Sequence, residues 1–75
     1  MKGLRLLFIE NLRRIRREKK ITQEKLAEAC DCNTSYIGSI EVGIRFPSIE
    51  LIEKIADALG VAACQLFERK ISVNR

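Results

Sequence analysis

The sequence predicts an all-α protein, built as one small domain of five helices. Apolar residues recur at helical spacing along most of the chain, and strand signals are weak throughout. Pro47 is the single proline, so long stretches are free of helix-breaking residues. Because 75 residues with 47% hydrophobic side chains can bury one modest core, we expect residues 1–75 to form a single domain.

The first helix is predicted at about residues 6–19. Phe8, Leu12 and Ile15 follow the i, i+4, i+7 spacing that places side chains on one buried stripe. Residues 1–20 also contain eight of the fourteen Lys and Arg side chains but only two acidic ones. Such a local excess of positive charge indicates either a polyanion as partner or an ordinary solvated face.

The second and third helices are predicted to be short and close together. Thr22 is suited to the N-cap of helix two, which ends near Cys30, and Asn33 is suited to the N-cap of helix three. Gly43 is expected to end helix three in a left-handed conformation. Two short helices joined by a tight turn form the geometry that places a helix in the major groove of DNA.

The last two helices complete the predicted domain. Ser48 is suited to the N-cap of helix four, and Gly60 is expected to end that helix. A short fifth helix is predicted at about residues 63–68, although its start lacks a good cap. Residues 69–75 are expected to form a tail.

The cysteines pose a separate question, because Cys30 and Cys32 form a Cys-x-Cys pair. A tetrahedral zinc site needs four ligands, whereas the chain has three cysteines and no histidine. We interpret both thiols as small apolar packing residues, with redox sensing or metal binding as the alternatives. An odd cysteine count also favours a reducing, cytoplasmic setting. Without histidine a catalytic nucleophile lacks its usual base, so we expect neither an enzyme nor a cofactor.

Two segments carry a family resemblance. "TQEKLAEACDCNTSYIGSIEVG" and "FPSIELIEKIADALGV" resemble the lambda-repressor/Cro-like, XRE-type helix-turn-helix family over about residues 11–68. The matching landmarks are Gln23, Leu26, Ala27, Ile37, Ile40, Glu41, Gly43, Pro47, Ser48 and the closing residues 59–61. The resemblance implies a lambda-repressor-like fold with a central helix-turn-helix.

The resemblance also implies roles for individual residues. The positions that meet base edges in the family are Thr34, Ser35 and Ser39, and those that commonly contact phosphates are Gln23, Tyr36 and Arg45. Arg17 is added to the predicted phosphate contacts because of the positive charge of the first helix. Arg16 and Glu41 match a structural ion pair between helices one and three. The alternatives are a plain surface ion pair, and a hydroxyl-rich face that is merely solvated.

The sequence departs from the family at several turns. Lys20 and Asp31 stand where the family usually has glycine, so both residues are expected to tolerate a left-handed backbone. Gly38 replaces a usual serine within the recognition helix, and Ala62 replaces the usual cap of the last helix. Gly38 either allows close approach to DNA or is a tolerated substitution.

These observations predict a transcriptional regulator that binds double-stranded DNA sequence-specifically, at a palindromic operator, as a homodimer. The chain resembles small phage repressors and restriction–modification controller proteins, which lack a ligand or protease domain. The dimer interface is predicted at the C-terminal end, through Val61, Leu66, Phe67 and Ile71. No membrane segment or small-molecule ligand is indicated. The alternatives are a helical protein–protein adaptor and an antitoxin-like module on the same fold.

Overall fold

The computed structural model describes residues 3–69, which are entirely helical or irregular. Its elements are α1 (Leu4–Glu18), α2 (Gln23–Ala29), α3 (Thr34–Glu41), α4 (Ile49–Leu59) and a 3-10 helix (Ala63–Phe67). The predicted all-α class is confirmed, with four α-helices and a 3-10 helix in place of five α-helices. Within these residues no helix is both long and apolar enough to cross a membrane.

Side-chain caps fix where two of the helices begin. The Thr22 hydroxyl accepts a hydrogen bond from the backbone N–H of Lys25 at 3.0 Å, which starts α2. The Ser48 hydroxyl accepts from the N–H of Leu51 at 3.1 Å and starts α4. Asn33 occupies the predicted N-cap position of α3, but its side chain makes no capping hydrogen bond. The sequence therefore predicted the three cap positions, but it did not predict that Asn33 lacks a capping hydrogen bond.

The outer helices differ from their predicted bounds. α1 begins two residues earlier than expected, at Leu4, and ends at Glu18. The C-terminal element does have a cap, because Oε1 of Gln65 accepts a hydrogen bond from the N–H of Ala62 at 2.9 Å. Ala62 itself makes no side-chain capping bond, as predicted, and the sequence pattern did not indicate that Gln65, inside the element, would accept from the backbone of Ala62.

The turns on both sides of α2 depend on left-handed backbone. Lys20 has φ 59° and Asp31 has φ 60°, and they are the non-glycine residues with positive φ between residues 3 and 69. This confirms the expectation drawn from the family positions that usually hold glycine. Such a conformation costs an ordinary residue about 1–2 kcal/mol, and less for Asp, whose short polar side chain can bond locally. Both turns therefore store strain.

The core is built from side chains of all four α-helices, the turn after α2 and the 3-10 helix. The fully buried side chains at its centre are Phe8, Leu12, Leu26, Cys30, Ile37, Ile40, Ile55, Leu59 and Leu66. The Phe8 ring contacts two more aromatic rings, with centroid distances of 5.2 Å to Phe46 and 5.3 Å to Phe67. These aromatic contacts join α1 to both the α3–α4 loop and the 3-10 helix.

One part of the predicted dimer interface is corrected by this core. Leu66 is 0% exposed, so its side chain cannot contact a second copy of the folded chain. Val61 and Phe67 are half-buried against the core, and Ile71 lies outside the described residues. The large apolar side chains that are exposed between residues 3 and 69 are Leu4, Leu6, Val42, Ile44 and Ile49.

Candidate nucleic-acid interface

The α2–turn–α3 unit forms a compact helix-turn-helix. The turn is hydrogen-bonded back onto α2, because the N–H of Cys32 donates to the carbonyl of Ala27 at 2.9 Å. Ile37 and Ile40 bury the inner face of α3 completely. The opposite face of α3 is therefore directed outward, and it is held at a fixed angle to α2.

The three predicted base-contacting residues differ in what they can offer. Thr34 and Ser35 are exposed at the start of α3, whereas Ser39 is half-buried. The Ser39 hydroxyl donates its proton to the carbonyl of Tyr36 at 2.7 Å. While this bond is kept the hydroxyl has no proton left to donate, so Ser39 would meet a base as a hydrogen-bond acceptor.

Arg45 lies beside the end of α3, next to Tyr36. Its guanidinium carbon is 5.9 Å from the centroid of the Tyr36 ring, a cation–π distance that holds an otherwise exposed side chain near the helix. Arg17 is exposed on α1. Arg45, held against Tyr36, therefore places a positive charge beside the outer face of α3, as a phosphate contact would require.

A network centred on Glu41 ties three helices together. The carboxylate accepts from Nε of Arg16 at 2.6 Å and from Nη2 at 3.1 Å, and it also accepts from Nε2 of Gln23 at 2.9 Å. Nη1 of Arg16 donates to the carbonyl of Ile21 at 2.8 Å. The two charged side chains are only 11% and 4% exposed. α1, the start of α2 and α3 thus meet at one charged cluster.

This network changes what Gln23 can contribute. One of its two amide protons is donated to Glu41, so only the other remains for the phosphate contact that the family resemblance implies. The side chain is half-buried and anchored to α3. Gln23 is therefore part of the α2–α3 contact as well as of the surface.

Asn11 is a structural residue that the sequence pattern did not predict. It is 4% exposed, and its Nδ2 donates to the carbonyls of Leu66 at 3.0 Å and Glu68 at 2.8 Å. Its Oδ1 accepts from Nη2 of Arg14 at 2.9 Å. The available signal was a polar residue beside Leu12 on the apolar stripe of α1, where a buried amide needs partners.

The three cysteines differ in how deeply they are buried. Cys30 is 2% exposed within the core, Cys32 is half-buried against it, and Cys64 is exposed. Burial raises the pKa of both the Cys30 and Cys32 thiols, and a nearby acidic group (Cys32 and Asp31, respectively) raises each further. Lys54 opposes these shifts in both cases. Both thiols are therefore protonated at neutral pH.

Alkylation rates distinguish packing from redox sensing. With iodoacetamide on the native protein at neutral pH, we expect Cys64 to react first and Cys30 last, because reaction requires an accessible thiolate. The raised pKa values also make stability depend on pH, because the folded protein favours the protonated thiols of Cys30 and Cys32. The stability that these protonated thiols provide is complete below the ordinary thiol pKa, and it is lost as the pH rises through the raised values. Labelling of Cys30 as fast as Cys64 would instead support a redox-sensing role.

The fold and the outward-facing polar helix define a DNA-binding transcriptional regulator of the helix-turn-helix class. Residues 12–66 match the family model described as Helix-turn-helix, and the chain belongs to this family in its XRE-type form. The described residues bring no group of three or more His, Cys, Asp or Glu side chains together as metal ligands.

Among similar proteins, control protein C.BamHI of Bacillus amyloliquefaciens is 47% identical over 67 residues, which cover 88% of this chain and 83% of the relative. Control protein C.MunI of a Mycoplasma species is 35% identical over 89% of this chain and 92% of the relative. A solved structure of the restriction-modification controller protein C.AhdI from Aeromonas hydrophila superposes with a TM-score of 0.80 at 36% identity, covering 84% of this chain and 96% of that one.

Proposed function

We propose that the chain is a controller-type transcriptional regulator that acts in the cytoplasm and binds a palindromic operator in double-stranded DNA as a homodimer. The observation that carries the proposal is the outer face of α3, which is polar, exposed and bordered by Arg45. The similarity to C.BamHI and C.AhdI favours a controller over a phage repressor or an antitoxin. Twofold symmetry doubles the site that one short helix can read.

At the proposed interface, different residues determine the affinity for DNA and the specificity for its sequence. Thr34 and Ser35 are exposed where the first turn of a recognition helix meets base edges. Arg45, Tyr36 and Arg17 are proposed to contact the DNA backbone beside that face. Contacts to phosphates position the protein and make binding salt-dependent, whereas contacts to bases select the sequence.

Two substitutions test this division. Arg45→Ala is expected to weaken binding to operator and random DNA alike, and to lower the salt slope by about one unit per lost phosphate contact, or about two in a dimer. Ser35→Ala is expected to weaken operator binding while sparing random DNA, by at most about 1–3 kcal/mol per base pair. The measurement is a salt titration of wild type and both variants on both DNAs.

Selection of bound sites from random DNA supplies the operator for that titration. A twofold-symmetric site supports the proposal, and equal losses on both DNAs for Ser35→Ala would show that this face does not read sequence. Binding that is undetectable or independent of salt would favour the adaptor alternative. Val42 and Ile44, which are exposed apolar residues following α3, are the observation that supports an adaptor.

The position of the dimer interface is tested by paired variants. We expect Val61→Glu to give monomers in sedimentation velocity, because Val61 lies at the C-terminal end beside the 3-10 helix and a buried charge there opposes association. Ile49→Glu, at an apolar position that is 73% exposed, is the matched control and should remain dimeric. The opposite result would place the interface at the start of α4. Thermal unfolding of both variants checks that each remains folded.

A further inference from the structure

Gln23 opens α2, but its side chain reaches across to α3. Its Nε2 donates to Oε1 of Glu41 at 2.9 Å, and a carboxylate can only accept, so the orientation of the amide is determined by this contact. The amide oxygen is therefore directed away from Glu41. It lies 3.8 Å from the position that a Cβ would occupy at Gly38.

Gly38 lies at the boundary between the inner and outer faces of α3. With about 100° per residue, it falls between Glu41, which faces inward, and Ser35, which faces outward. Because Gly38 has no side chain, the oxygen of Gln23 is left uncovered beside the recognition face. No group between residues 3 and 69 donates a hydrogen bond to this oxygen, and the oxygen is not fully buried.

Ser39, which lies about 100° further around α3 than Gly38, offers the same chemistry on the outer face of the helix. Its hydroxyl proton is donated to the carbonyl of Tyr36, so Ser39 also presents only an acceptor. A phosphate has no proton to donate and cannot bind to either oxygen. The donors available in the major groove are the exocyclic amino groups of cytosine (N4) and adenine (N6).

We propose that Gln23 is a specificity-determining residue, whose Oε1 accepts a hydrogen bond from the exocyclic amino group of an adenine or cytosine through the gap at Gly38. This inference rests on the proposed function. The hydrogen bond to Glu41 already fixes the Gln23 amide in the free protein, so the side chain loses little conformational freedom when DNA binds. Residues from two helices, α2 and α3, would then read the same stretch of the half-site.

The test removes amino groups from the DNA one at a time. In the selected operator, single adenines are replaced by purine and single cytosines by 2-pyrimidinone, and the dissociation constant is measured for each DNA. For wild type we expect one position in each half-site at which the deletion weakens binding by about two- to tenfold, the value of one neutral hydrogen bond.

Two variants assign that position to Gln23. Gln23→Lys retains a donor for Glu41 but has no acceptor, and Gly38→Ala covers the oxygen with a methyl group at an ordinary contact distance of 3.8 Å. Both are expected to bind the operator with no further loss when the amino group is deleted. Gly3→Ala, where nothing lies within 4 Å, is the matched control and should respond like wild type. The thermal midpoint of Gly38→Ala should equal or exceed that of wild type, since alanine favours helix.

Three results would overturn the inference. If wild type and Gln23→Lys respond alike to every amino deletion while operator preference persists, Gln23 does not read a base and the proposed function stands. If Gly38→Ala weakens operator and random DNA equally, the glycine serves close approach to the DNA backbone instead. If wild type prefers no sequence at all, the inference and the proposed function fail together.

Discussion

Replacing Glu41 with alanine is expected to lower the free energy of unfolding by about 3–5 kcal/mol, because it leaves the nearly buried guanidinium of Arg16 without its counter-charge. The Arg16 side chain is only 11% exposed, so water cannot fully replace the carboxylate. A domain of 75 residues has a total stability of about 4–11 kcal/mol, so this loss consumes much of it. Urea unfolding followed by circular dichroism measures the change.

The matched control removes both charges. Arg16→Met combined with Glu41→Leu leaves no unpaired ion and is expected to recover most of the lost stability, as buried pairs often do when replaced by apolar residues. Wild type, Arg16→Met alone, Glu41→Leu alone and the double variant form a double-mutant cycle. A loss below about 1 kcal/mol for Glu41→Ala would show that the pair behaves like an exposed surface pair, the alternative left open by the sequence.

Asn11→Ala is expected to cost about 2–3 kcal/mol, because the carbonyls of Leu66 and Glu68 both lose their side-chain donor. The carbonyl of Leu66 is in a buried hydrogen bond, so no water is positioned to replace the amide. We also expect the 3-10 helix to loosen before the rest of the domain. Faster hydrogen exchange at Phe67, measured by NMR below the unfolding temperature, reports that local opening.

Arg14→Ala is the control for Asn11. It removes the half-buried donor to Oδ1 of Asn11 and a 3.4 Å ion pair with Glu18, but it leaves both carbonyl bonds of Asn11 in place. We therefore expect it to cost less than Asn11→Ala, about 1 kcal/mol. Unchanged exchange at Phe67 in Asn11→Ala, together with wild-type stability, would show that Asn11 does not secure the 3-10 helix. The hydrophobic contact between Phe67 and Phe8 would then hold that element alone.

The parts of the fold that the sequence predicted are those set by neighbours along the chain. Thr22 and Ser48 each cap a group three residues ahead, and the left-handed Lys20 and Asp31 lie at positions marked by the family pattern. Asn11 could not be assigned in this way, because its bonds span 55 and 57 residues. Leu66 was wrongly predicted to lie at the dimer interface for a related reason, since its burial depends on how the 3-10 helix packs against α1.

The candidate site shows the same division between local pattern and long-range contact. Helical spacing placed Ser39 on the outer face of α3, and its role as a base contact stays a prediction. Spacing could not show that the Ser39 proton is donated to Tyr36, because hydroxyl rotamers are not encoded in periodicity. The orientation of the Gln23 amide likewise depended on the carboxylate of Glu41, which is 18 residues away.

The two strained turns around α2 have a consequence for how long the protein survives in a cell. Lys20 and Asp31 each make the fold up to about 1 kcal/mol less stable than glycine at the same position would. This value allows for the greater conformational entropy that glycine loses on folding. One such increment changes the ratio of unfolded to folded molecules about fivefold. A protease that cleaves only unfolded molecules is therefore expected to degrade this chain faster than a variant with glycine at either position. A regulator that is cleared quickly lets its concentration follow its synthesis closely.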